Sequence, residues 1–161
     1  MGRLSGNITK LKRKHAAAVK VVTAAGIAYR DGLAEEMRLD GVRVAAYAEQ
    51  DRQIRRLNGG VNRWRDLSDG REDPTPEESD IITKGILVAM DAAMQAGDDL
   101  VDYQTFTLPP LRNAYRNAKQ KAKDLLAFIN KYIEDKETMK ALGGEDYKAW
   151  KAAMKAAASG L

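Results

Sequence analysis

The sequence predicts an all-α fold, an antiparallel helical bundle of about four to five helices, and three observations carry that prediction. Positions of one stripe recur at alternating three- and four-residue steps, as in Ile8, Leu11, His15, Ala18, Val22, Ala25 and Tyr29, which is the period of a helix face. Ala, Lys, Arg, Glu and Met are abundant while aromatic residues make up 6%, a composition suited to helices that approach through small side chains rather than to a sheet. A charged, turn-rich stretch from Asp69 to Pro76 runs straight into a helix-start signature.

Ser5 or Asn7 is placed to cap a first helix that opens at Ile8 and continues past Gly32 to Leu39. Gly41 is the expected kink or turn, after which Val42, Ala45, Ala46, Glu49, Ile54, Leu57, Val61, Trp64 and Leu67 resume the period; Gly59-Gly60 leaves this helix as one piece or two. Thr75 as N-cap, Pro76 as first helical residue and Glu78 as reciprocal partner form a capping box. The helix so opened carries Ile81, Ile82, Gly85, Val88, Ala89, Ala92 and Ala93 on one side and is expected to end at Gly97. Asp98 to Phe106 is ambiguous, and Pro109-Pro110 is expected to stop one helix and start another.

From Leu111 to Leu142 the helical period is sustained without interruption, giving a long helix near 110–142 to match the long N-terminal one. Gly143-Gly144 should terminate it, and Glu145 to Ala158 forms a last helix with Tyr147, Trp150 and Met154 on one face and Lys148, Lys151 and Lys155 on the other. The expected organisation is a basic N-terminal helical hairpin or long kinked helix over 1–68, an acidic Pro/Gly linker over 69–76, and the helical remainder of one bundle domain over 77–161. Leu125, Ile129 and Ile133 are expected to be buried against Val22, Tyr29 and the Ile82 to Val88 face.

Charge is sorted into blocks. Residues 1–30 hold seven bases and no acid, and residues 66–102 hold eleven acids and two bases, although the whole chain carries only +4. Such sorting suits a surface that meets a charged partner, protein subunits including other copies of this chain among them. There is no cysteine, which removes disulfides, thiolate zinc sites and cysteine nucleophiles together. No stretch has signal-peptide or membrane-span character, since Lys20 interrupts the apolar run from Ala16 to Ala28, so a cytoplasmic or intravirion setting is expected.

Asp98, Asp99 and Asp102 match the DDxxD pattern with which prenyl synthases hold magnesium and a diphosphate, and make these three the candidate metal residues. Glu35-Glu36 together with Asp99 and Asp102 resembles the paired acidic motifs of all-helical nucleotide pyrophosphohydrolases; the resemblance would imply a magnesium-dependent phosphohydrolase, but Leu39 stands where the pattern wants an acid. His15 is the one histidine and has no carboxylate nearby in sequence to orient it. Serine-nucleophile, P-loop and dinucleotide signatures are absent, so no catalytic residue, enzyme activity or cofactor is expected.

Lys10, Lys12, Arg13 and Lys14 cluster at the start of the first helix, Arg55, Arg56 and Arg63 gather near Trp64, and Arg112, Arg116, Lys119 and Lys123 recur at helical steps. These are the candidate contacts to a nucleic-acid backbone. Glu72, Asp73, Glu77, Glu78 and Asp80, with Trp64, are the candidate protein interface. The function expected first is a non-enzymatic assembly or structural subunit of a larger complex, of phage-particle or nucleoprotein type, and the alternative is a nucleic-acid-binding helical module.

Overall fold

A computed structural model describes the backbone of residues 2–66 and 76–160, and the side chains of 8–55 and 76–160. The helices are α1 (Gly2–Asp66), α2 (Pro76–Asp102), α3 (Leu108–Leu142) and α4 (Gly144–Ser159). A π-helical segment, Tyr103–Thr107, joins α2 to α3 without a break. The fold is all-α, and the described residues form three continuous helical rods where four to five helices were expected. None of these helices is long and apolar enough to cross a membrane.

The shortfall in helix number comes from glycines and prolines that do not interrupt. α1 carries through Gly41 and Gly59-Gly60, and α2 carries through Gly97. A helical glycine costs only about 1 kcal/mol relative to alanine, less than the packing of flanking turns supplies. Around Gly41 the inward stripe continues unbroken through Glu36, Leu39, Arg43 and Ala46. Pro76 does open α2, as expected; Thr75, the rest of the 69–76 linker, and Glu72 and Asp73 lie outside the described residues.

Pro109-Pro110 was expected to stop one helix and start another: α3 does start beside the pair, at Leu108, but a π segment carries the backbone over from α2 without a break. Neither proline has an N–H, so the carbonyls of Thr105 and Phe106 lose their usual donors. The backbone widens at that point, and the N–H of Leu108 donates to the carbonyl of Tyr103, five residues back. The widened turn also shifts phase. The inward stripe steps by four and three through Ile82, Ile86, Ala89, Ala93, Ala96, Leu100 and Tyr103, then resumes at Leu108, Leu111, Tyr115, Ala118, Ala122, Leu125, Ile129 and Tyr132. Tyr103 to Leu111 spans eight residues in place of seven, and the π segment absorbs the surplus residue.

Contacts group the chain into two compact units, Met1–Arg30 with Pro110–Leu161, and Asp31–Pro109. In the first unit, Leu11, Leu125 and Ile129 form the core, with Ala18, Phe128 and Ala158 against it. An aromatic row of Phe128, Tyr132, Trp150 and Tyr147 fastens α4 to α3, with successive ring centroids 6.5, 5.2 and 5.8 Å apart. Burial, with a smaller contribution from the neighbouring Tyr147, pushes the Tyr132 phenol up from its ordinary value. Tyr29 stacks on Tyr115 at 6.0 Å, over Gly26, where an added Cβ would stand 3.2 Å from the Tyr115 ring.

Two expected core members are displaced. Ile133 is 45% exposed, because the α3 stripe turns through Ile129 and Tyr132 and leaves it one flank out. Ile82 and Val88 belong to the other unit, where Val88 is exposed. Gly143-Gly144 does separate α3 from α4: both have positive φ, 65° and 57°, which glycine adopts without a Cβ clash. Gly143 N–H closes onto Met139 O at 3.2 Å and Gly143 O accepts the N–H of Tyr147 at 3.2 Å.

The second unit is an antiparallel pair, the later half of α1 against α2. Ascending α1 residues meet descending ones: Gly32 O accepts from Tyr103 Oη at 3.0 Å, the Tyr47 hydroxyl leans on Gly97, and Gln53 faces Gly85. Among the described residues its buried hydrophobic ones are Ala89, Ala93, Ala96 and Leu100, so there the two backbones meet through small side chains.

Candidate functional site

The second unit leaves a large part of its apolar surface in the open. Along α1, Leu33, Met37, Val44 and Tyr47 follow one another at steps of four, seven and three, one flank away from the buried seam, and all are exposed, Met37 at 77%. Along α2, Leu87, Met94 and Val101 repeat every seven residues with Met90 between them, and these too are exposed, Met94 at 62%. Two cross-helix contacts identify the flank: Tyr47 rests by Gly97, and Gln104 Nε2 donates to Glu36 Oε1 at 2.7 Å. Because the helices are antiparallel, both rows lie on this same side of the pair, with Met37 opposite Val101 and Val44 opposite Met94. Arg43 stands 6.0 Å from the Tyr47 ring centroid, a cation–π contact at the margin.

Three acids border that face, in line with the bases Lys84 on α2 and Arg55 on α1. Asp91 and Asp98 sit one turn beyond Leu87 and Met94, and Asp51 sits one turn beyond Tyr47. All three are exposed, and none takes a basic partner among the described residues.

The acidic residues singled out by sequence are spent locally. Glu35 grips Arg38 through two hydrogen bonds of 2.8 and 2.6 Å, and that hydrogen bonding holds its carboxyl below the usual range. Glu36 accepts from Gln104, and Asp99 accepts from Gln95 Nε2 at 2.7 Å. Asp98, Asp99 and Asp102 are exposed on the continuous helix α2, and among the described residues no three Asp, Glu or His side chains are gathered so as to hold a metal ion. Of the candidate interface, Glu77, Glu78 and Asp80 form the exposed start of α2, where Asp80 pairs with Lys84 at 2.6 Å. The side chains of Trp64, Arg56 and Arg63 lie outside the described residues.

The basic candidates separate into two places in the first unit. Lys10 and Lys14 line a groove of about 280 Å³ together with Lys151 and Lys155 of α4, over a floor that includes Leu11, Phe128, Tyr132 and Met154. No acid lines it, and none of the four lysines has a carboxylate partner among the described residues. On the side marked by the Gly26–Tyr115 contact, Arg112, Lys119, Leu126 and Ile133 fall in one line at seven-residue steps, with Arg116 and Lys123 beside it and Lys12 and Val19 on α1. Val19, Leu126 and Ile133 are exposed there. Arg13 and Arg55 are exposed on α1, and His15 is half-buried on its inward stripe.

Sequence reading paired Lys10 and Lys14 with neither Lys151 nor Lys155, because only the docking of α4 brings them together. It also passed over the Leu87–Met94–Val101 line, although the seven-residue repeat was there to be seen. Compared with known proteins, the chain matches no family model, no curated protein and no solved structure.

Proposed function

We propose that this chain is a non-enzymatic assembly subunit that joins a larger complex of protein subunits through the uncovered apolar face of its second unit. That face is the observation carrying the reading. Large apolar side chains left in water on successive turns of two adjacent helices mark an interaction surface rather than scattered surface hydrophobes. Among the described residues of this unit the buried hydrophobic ones are three alanines and one leucine, while its larger apolar side chains on that face stand exposed. Block-sorted charge supports the same reading by supplying steering and register. Purified protein, followed by light scattering at low and high salt and by an apolar fluorescent dye, is expected either to associate with the face covered or to remain monomeric and bind dye there. In the monomeric case Met37→Ser with Met94→Ser removes most of the dye signal. A monomer that binds no dye at either salt overturns the reading.

The lysine groove supports a second reading, a nucleic-acid-binding module. Four lysines with no carboxylate partner among the described residues converge from α1 and α4 and repel one another, and a phosphate backbone would relieve that repulsion. Binding of DNA or RNA that weakens steeply between about 50 and 200 mM salt, and that Lys14→Ala with Lys151→Ala weakens at every salt concentration, is the expected result. Undetectable binding at low salt removes this reading.

A further inference from the structure

We infer that the partner of the acid-bordered face is a second copy of this chain, docking through the base-bearing face of its first unit. The inference rests on the assembly reading and adds the identity of the occupant. Two copies of the second-unit face would bring Asp51, Asp91 and Asp98 of each copy onto one interface, with fewer unpaired bases than acids among the described residues to balance them, since Lys84 and Arg43 are already paired with Asp80 and Asp40. The same chain carries the complement. In the first unit, Leu126 and Ile133 on α3 and Val19 on α1 are exposed apolar residues; Arg112 and Lys119 continue the α3 line, Lys123 stands beside it, and Glu137 is an exposed acid a turn beyond Ile133.

Leu33 to Tyr47 is about 21 Å of helix, whereas Leu126 to Ile133 is about 10 Å at 1.5 Å per residue, so the apolar part of the α3 line covers half of the other row and its charged part, Arg112 and Lys119, lies beyond. Apolar side chains would meet over that half while lysine and arginine reach the aspartates at the margin, which is the usual anatomy of a specific interface. Since the two surfaces differ, the contact is heterologous. Copies then either satisfy each other reciprocally and close, or add head to tail.

Charge exchange tests this on the full chain. The parent should associate at low salt in sedimentation experiments, with high salt weakening it. One variant, Lys119→Glu with Lys123→Glu, has acid on both faces; another, Asp91→Lys with Asp98→Lys, has base on both. Each alone should associate about tenfold more weakly than the parent or worse, and an equimolar mixture should recover parental association, because each variant then offers the face the other lacks. All four positions are exposed, and circular dichroism checks that the helices persist. Variants that assemble like the parent, or a mixture no better than its components, overturn the inference. A parent that stays monomeric yet binds apolar dye at Met37 and Met94 overturns self-pairing while leaving the assembly reading in place. A monomer that binds no dye ends both.

Discussion

Ile129→Ala should lower stability by about 2 to 5 kcal/mol, whereas Ile133→Ala, one turn further along the same helix, should change it by no more than about 0.5 kcal/mol. Ile129 is 5% exposed and shares a core with Leu11 and Leu125, the latter only 1% exposed. Truncation there removes apolar contacts from α1 and α3 at once and leaves a void that close-packed neighbours fill only in part. Ile133 lies on the exposed strip and loses little in the isolated chain. If copies pair as inferred above, its truncation weakens association instead. Urea titrations followed by circular dichroism, with the slope compared between variants, read the first effect; sedimentation reads the second. An Ile129→Ala midpoint equal to that of the parent would mean that the first unit does not depend on this core.

Ala93→Leu should be destabilising although it adds apolar volume. Ala93 is 1% exposed on the seam between α2 and the later half of α1, with Ala89 and Ala96 on the turns either side. The helices are close because these side chains are small, so a leucine has to push them apart or adopt a strained rotamer, at about 1 to 3 kcal/mol. The thermal midpoint should fall by about 2 to 4 °C for each kcal/mol. Val88→Leu, at an exposed position of the same helix, serves as control and should leave the midpoint in place. A midpoint raised by Ala93→Leu would mean the seam has unfilled space.

The helical period was legible in the sequence because burial on one side imposes it directly on residue choice. Ile8, Leu11, Ala18 and Val22 on α1, and Ala122, Leu125 and Ile129 on α3, fall where the alternating steps put them. Punctuation was misread. Gly41 and Gly97 look like ends because local propensity is all a single sequence offers, yet each costs about 1 kcal/mol and neighbouring packing outweighs that. Pro109-Pro110 forbids an ordinary α-turn, and only the backbone shows the π alternative. The exposed apolar face was illegible for a further reason. A sequence reading sends each apolar residue to the core, so Val88 and Ile133 were placed inside, and nothing local separates an inward row from a second row one flank away. Which rows face each other depends on antiparallel register, set by contacts such as Gly32 with Tyr103, 71 residues apart.

Elsewhere in these rods, gaining or losing one amino acid would rotate every later side chain by about 100° about the helix axis, turning buried positions outward along the whole remaining length. Between Tyr103 and Thr107 one such residue is already accommodated: the wide turn takes up a residue beyond the seven-residue frame, and Pro109-Pro110, which lack the N–H groups of an ordinary turn, keep it wide. These five residues are therefore the described stretch where the rod carries a surplus residue and still keeps its inward side chains inward on both sides.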